Sequence, residues 1–142
     1  MTLYPYLDEL LTAISASCAI TAKSVANLQS IPLQKTPAVF LMPDQSSLKS
    51  SITDKRTTSS IRFNHNWTTI VILKDSNEQI PGYLLVTELG EWQAKIVNAL
   101  CKTKLSIGGP ITLLEIAKPE SIDGGFIAGR ITFSTEFVFI SE

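Results

Sequence analysis

The sequence predicts an α+β fold, in which a mainly antiparallel sheet carries helices packed on one of its faces. Two long segments, 61–74 and 126–140, alternate apolar and polar residues, which is typical of strands with one buried face. Two others, 3–18 and 83–100, space their apolar residues at helical intervals. The strands of a doubly wound parallel sheet would be more continuously apolar, so the antiparallel arrangement is favoured.

Both helices are predicted from apolar residues three and four positions apart. In the first, Pro5 fits the first turn, where its missing N–H is harmless, and Asp8 and Glu9 lie near the positive end of the helix dipole. Gly90, inside the second helix, suggests a close backbone approach. The apolar stripes are Leu3, Leu7, Leu10, Ile14 and Cys18 in the first helix, and Leu85, Leu89, Trp92, Ile96 and Leu100 in the second.

Four segments are predicted as strands. AVFLM at 38–42 is apolar and stops at Pro43, and ITLLEIA at 111–117 is closed by Pro119. Gly129 is expected at a bulge or bend of the last strand. In the two long strands the apolar residues sharing one face are Ile61, Phe63, Trp67, Val71 and Leu73, and Ile131, Phe133, Phe137 and Phe139, with Arg130, Thr132, Ser134 and Glu136 on the opposite face.

Between these strands, residues 43–60 (PDQSSLKSSITDKRTTSS) differ sharply in composition. Nine of the eighteen are Ser or Thr. Loops this long in a compact domain are usually functional or disordered, so a flexible loop is expected here. Lys49, Lys55 and Arg56 cluster loosely in it, diluted by Asp44 and Asp54 and without interleaved aromatics. A solvated loop is the plain interpretation, a partner-contacting loop the next, and nucleic-acid binding the least favoured.

Length, composition and charge exclude several classes of protein. The 142 residues predict a single domain, 1–142, and the 44% hydrophobic and 18% charged content excludes a disordered tail. The net charge of −1 predicts no attraction to nucleic acid or to an anionic membrane. Cys18 and Cys101 are too far apart for a metal spacing and too few for a disulfide framework. No apolar run long enough to span a membrane and no basic leader is present, so a cytoplasmic protein or a particle subunit is expected.

Catalytic signals are weak. His65, the one histidine, lies on the apolar side of its strand, where a packed, hydrogen-bonded histidine is more common than a general base or metal ligand. Both cysteines are interpreted as packed thiols. Gly108-Gly109 and Gly124-Gly125 precede strands and are interpreted as turns rather than phosphate cradles. Glu115, Glu120 and Asp123 are interpreted as solvated carboxylates. The sequence therefore predicts no enzyme, no metal and no cofactor.

The arrangement of segments resembles the tail terminator proteins of long-tailed bacteriophages and prophages. The features that carry the resemblance span nearly the whole chain. They are the YPYLDELL start, the PAVFL strand, the Ser/Thr-rich excursion, the strand ending in WTTIVIL, the helix GYLLVTELGEWQAKIVNAL and the final GGFIAGRITFSTEFVF.

The resemblance implies a structural virion protein of the tail, assembled in the cytoplasm of a bacterial host. Such proteins form a ring, usually a hexamer, on the tail tube. The ring stops tube polymerisation and offers a surface to the head–tail connector protein. The expected partners are copies of the chain, the tail tube protein and the connector, with no membrane and no specific nucleic acid. We place tube contact at Lys49, Lys55 and Arg56, and subunit contact at Arg130 and Glu136.

Two alternatives remain at this point. A head–tail joining or tail completion protein would have the same general character and differ in its partner. More remotely, a small-ligand-binding or enzymatic α+β domain would require a deep pocket with convergent polar groups.

Overall fold

Two helices and six strands make up the structure, a computed structural model that describes residues 4, 6–26, 36–53, 59–74, 82–105, 111–122 and 125–140, with only the backbone described at 45–53, 59–61, 82–84 and 139–140. The helices are α1 (Leu7–Cys18) and α2 (Gly82–Lys102). The strands are β1 (Lys23–Ser24), β2 (Ala38–Thr53), β3 (Ser59–Lys74), β4 (Thr112–Ile116), β5 (Glu120–Ile122) and β6 (Phe126–Ile140).

The strands form one mostly antiparallel sheet in the order β1-β2-β3-β6-β4, with β5 also paired to β6. Only the short β1 runs parallel to its neighbour, β2. The register of β3 against β6 is continuous from the pair Ser60–Ile140 to the pair Lys74–Phe126. The predicted α+β class with a mainly antiparallel sheet is confirmed.

Alternation of side chains along the long strands gives the sheet two unlike faces. The face that carries Trp67, Ile131 and Phe133 packs against both helices in the main core; we call it the helix face. The opposite face, which we call the polar face, has a small apolar cluster at one end and polar residues from Arg130 to Glu136 of β6. The cluster consists of Phe40, Ile70, Ile72 and Ala128.

The helices bury the stripes that their spacing predicts, with one correction in each. Leu10, Ile14 and Cys18 of α1 are buried, but the helix begins at Leu7 rather than at residue 3. Leu89, Ile96 and Leu100 of α2 are buried. Gly90 is exposed, and apart from its chain neighbours and the backbone of its own helix no described atom would lie within 4 Å of a Cβ added there, so the predicted close approach at Gly90 is wrong.

The close approach between a helix and the sheet is found at Gly129 instead. A Cβ at this position would lie 2.6 Å from Gln93 Nε2 and 3.0 Å from both methyl groups of Leu89. The bulge that was predicted as one possibility at Gly129 is wrong where β6 meets β3, because Gly129 pairs with Val71 in unbroken register. The missing side chain lets α2 lie close to the sheet.

The predicted loop at 43–60 is also wrong over 43–53, because β2 does not stop at Pro43. It continues to Thr53, paired along β3, with register shifts between Pro43 and Ser46 and between Leu48 and Ser50. Proline and bulges are compatible with a strand at or near a sheet edge. Residues 59 and 60 begin β3, while 54–58 lie outside the described residues.

Candidate interaction surfaces

A cluster of aromatic rings surrounds His65 on the helix face. The His65 ring centroid lies 4.8 Å from that of Phe137 and 5.3 Å from that of Tyr4. The rings of Phe63 and Trp67 lie at 6.2 Å each. The side chain is only 3% exposed, so the structure places His65 in the core and confirms the packing that the preferred interpretation expected. In the described ranges, no group of three or more His, Cys, Asp or Glu residues could hold a metal ion.

Burial lowers the pKa of the His65 imidazole below its ordinary value of 6.5. The folded chain therefore favours neutral His65, while the unfolded chain binds a proton more readily. We expect the free energy of unfolding to fall as the pH drops below about 6.5, and to keep falling until the lowered pKa is reached. Urea titrations at about pH 7.5 and about pH 5 would measure this loss.

The His65→Gln variant is the control for this prediction, because the chain has no other histidine. The variant keeps every carboxyl group of the unmodified protein, so the difference between the two pH dependences isolates His65. The unmodified protein should lose more stability on acidification than the variant. Equal losses would contradict the prediction.

Trp67 and Tyr6 each form a hydrogen bond to β6 on the helix face. Trp67 Nε1–H donates to Thr135 Oγ1 at 2.9 Å, and both residues are buried. The Tyr6 hydroxyl donates to the backbone oxygen of Glu136 at 3.3 Å, which connects the segment before α1 to β6. Burial, then the charges of Glu9 and Glu136, raise the pKa of the Tyr6 phenol.

The predicted subunit-contact residues lie on the polar face, six positions apart on β6. At the rise of an extended strand this spacing is roughly 20 Å. Arg130 Nη2 lies 2.7 Å from Glu120 Oε2, and the two side chains are 30% and 51% exposed. An ion pair this exposed contributes little to stability. Glu136 is half-buried farther along the strand. The structure thus places both residues on one face but does not bring them together.

Between these positions, the polar face carries a row of hydroxyl and carboxylate groups. Thr68 Oγ1 lies 3.4 Å from Asp44 Oδ2 and 3.4 Å from Thr132 Oγ1.

Of the predicted tube-contact residues, Lys49 lies in β2 at the register shift between Leu48 and Ser50, where only the backbone is described. Lys55 and Arg56 lie outside the described residues.

The edge strand β4 presents a surface that the sequence analysis missed. All five of its residues are exposed, and the exposed fractions of Leu113, Leu114 and Ile116 are 45%, 51% and 56%. Val86 of α2 is 45% exposed. It lines an open groove of about 690 Å³ that also includes Pro119, which follows β4. Among the described residues, Tyr4 is the one other large apolar side chain this exposed.

An apolar edge strand of this kind is typical of an interaction site, because unpaired backbone groups and apolar side chains favour addition of another strand. The run TLLEI in ITLLEIA held a signal for it. On a strand with one solvated face, apolar and polar residues would alternate strictly. The apolar residues of TLLEI do not.

The two cysteines differ in environment. Cys18 is buried, as expected, whereas Cys101 is exposed, so the prediction of a packed thiol is wrong there. Within the parts of the chain that the structure describes, neither helix is both long and apolar enough to cross a membrane.

Comparison with known proteins reveals similarity of fold. No protein-family model matches the chain, and no curated protein matches it. Among solved structures, a chain of the "virion of native gene transfer agent (GTA) particle" superposes with a TM-score of 0.57 at 13% sequence identity. The match covers 93% of this chain and 91% of that chain. The protein thus shares, over nearly its whole length, the fold of a chain from a gene transfer agent virion.

Proposed function

We propose that this chain is a structural protein of a phage-like particle, and specifically a tail terminator. In this proposal, copies of the chain form a ring, usually of six, on the end of the tail tube. The ring stops further addition of tube protein and presents a surface to the head–tail connector. No bond-making step and no cofactor belong to this function.

The observation that carries the proposal is the near-complete overlap in fold with a virion chain, 93% of one and 91% of the other. The described surface fits an assembling subunit. The two lateral edges of the sheet, β1 and β4, are different strands, so contacts between copies can run head to tail, as a closed ring requires.

In the proposed particle, the β2–β3 hairpin makes the tube contact. The hairpin runs at least from the pair Pro43–Trp67 to the pair Thr53–Ser59. Lys49 lies within it, and Lys55 and Arg56 follow β2 and precede β3 in the sequence. Subunit contact at Arg130 and Glu136 stays a prediction, and it would require Arg130 to share or exchange its partner Glu120.

The test is polymerisation of the purified tail tube protein of the same phage, with and without this chain, followed by measuring tube lengths by electron microscopy. We expect a cap at one tube end and shorter tubes in proportion to added protein. Reversal of charge in the double variant Lys55→Glu, Arg56→Glu should weaken capping, because the contacts would then repel their partner.

A matched control reverses two exposed charges elsewhere, with Lys102→Glu and Lys104→Glu near the end of α2. It should cap tubes as the unmodified protein does. Unchanged tube lengths with the unmodified protein would overturn the terminator assignment. If the chain instead bound the purified connector and ignored the tube, it would be a head–tail joining protein.

A further inference from the structure

The register of the sheet places its two edge strands at the same level. Along one row, Ser24 of β1 pairs with Leu41, Leu41 with Thr69, Thr69 with Ile131, and Ile131 with Ile116 of β4. Side chains in one row of a sheet point to the same face. Ser24 and Ile116 therefore lie at opposite edges of the sheet, in the same row and on the helix face.

The strand directions are complementary as well. β1 runs parallel to β2, and the steps from β2 to β3, to β6 and to β4 are each antiparallel. β4 therefore runs opposite to β1. If a second copy extends the sheet without being turned over, its β1 lies beside β4 of the first copy as an antiparallel neighbour. Antiparallel pairing is slightly more stable per residue than parallel pairing.

We propose that the exposed edge of β4 binds β1 of a second copy of this chain, so that the sheet continues head to tail from copy to copy. The proposal names a subunit contact of the proposed ring, separate from the one predicted at Arg130 and Glu136, and it rests on that function. It accounts for the exposed Ile116, which lies opposite Ser24 of the second copy.

Charge favours this arrangement over a twofold contact between two β4 strands. Lys23 lies in the row of Phe40, and Glu115 lies in the row of Thr132, so both are on the polar face. With Ser24 opposite Ile116, Lys23 is a diagonal neighbour of Glu115, which suits an opposite-charge pair. A twofold contact would instead bring the two Glu115 carboxylates to the same face, where like charges repel.

Disulfide trapping tests the pairing directly. Residues opposite each other in antiparallel strands have Cα atoms about 4.5–5.5 Å apart, which suits a disulfide. One preparation carries Ile116→Cys and another Ser24→Cys, both in a Cys101→Ser background because Cys101 is exposed. After mixing in a glutathione redox buffer at high protein concentration, non-reducing gels should show a cross-linked dimer.

Each preparation alone is the control and should remain uncross-linked, because a head-to-tail contact never places two identical positions together and the remaining Cys18 is buried. Cross-linking of Ile116→Cys with itself would indicate the twofold contact and overturn the proposal. Absence of a cross-link in the mixture would overturn it as well. A chain carrying both cysteines should give a ladder of oligomers that ends at the size of the ring.

A charge exchange provides a second readout at exposed positions that should not disturb folding. Glu115→Lys alone and Lys23→Glu alone should each weaken self-association by about two- to fivefold, and the double variant should restore it. Ile116→Lys should weaken it about tenfold or more, because an apolar side chain no longer enters the contact. Failure of the double variant to recover would contradict the pairing of Lys23 with Glu115.

The cross-linking and capping experiments test the β4–β1 contact and the terminator function independently. Specific cross-linking by a protein that leaves tail tubes uncapped would support the contact and overturn the terminator assignment. Capping of tubes by a protein that yields no mixed cross-link, even on the tube, would support the assignment and overturn the contact.

Discussion

Replacing Trp67 by alanine is expected to lower the free energy of unfolding by about 3–5 kcal/mol. Trp67 is 1% exposed and lies on the helix face of β3, with the ring of Tyr4 at 6.0 Å. Alanine would leave a cavity between the sheet and the residues that cover it, and Thr135 would lose the indole N–H that donates to its hydroxyl. Urea unfolding followed by circular dichroism would measure the loss.

The hydrogen bond within this site can be tested separately. Thr135→Val keeps the shape of the side chain but leaves the Trp67 indole N–H without its acceptor, which should cost about 1–3 kcal/mol. Thr135→Ser is the matched control, because it keeps the hydroxyl and loses only a methyl group. If the valine variant proved as stable as the serine variant, the hydrogen bond between Trp67 and Thr135 would not contribute to stability.

Hydrophobic periodicity correctly predicted the helices and strands whose buried face is marked by their own sequence. β3 and β6 alternate apolar and polar residues because one face lies against the helices, and this signal is local to each strand. The same holds for α2, whose buried Leu89, Ile96 and Leu100 follow helical spacing. The fold class could be predicted from these long elements alone.

The prediction failed where pairing with a distant segment decides the structure. The Ser/Thr-rich part of β2 forms a strand because β3 offers it a continuous partner, from the pair Ser46–His65 to the pair Thr53–Ser59. Few of its residues are apolar, so no periodic signal marks it. The two-residue β1 likewise exists through its pairing with Phe40 and Leu41 of β2.

The interaction surface was harder to predict than the fold, for a related reason. The apolar residues of β4 predicted a strand, but their exposure depends on which strand lies at the edge of the sheet. That order follows from the pairing of β4 with β6, which no residue of β4 itself reveals. The basic residues of the 43–60 segment and the charged residues of β6 were visible in the sequence, whereas the common row of Ser24 and Ile116 needed the register of five strands.

Alanine at Gly129 is expected to destabilise the protein by about 1–3 kcal/mol, the usual effect of overpacking a core. The new Cβ would lie 2.6 Å from Gln93 Nε2 and 3.0 Å from both Leu89 methyl groups. The end of the Gln93 side chain can move aside, but Leu89 is 1% exposed and held in the core. Relief therefore requires the Leu89 side chain or α2 to shift away from β6, which loosens the packing of the helix on the sheet.

Alanine at Gly90 should have the opposite effect and serves as the matched control. Gly90 lies inside α2 and is exposed, and a Cβ added there would contact no described atom within 4 Å beyond its chain neighbours and its own helix backbone. The substitution should stabilise the protein by about 0.5–1 kcal/mol, because alanine loses less conformational freedom in a helix than glycine does. Urea unfolding of both variants would measure the two changes. A Gly129→Ala variant as stable as Gly90→Ala would mean that α2 packs farther from β6 than the structure places it, because only close packing makes an added methyl group unfavourable at one glycine and favourable at the other.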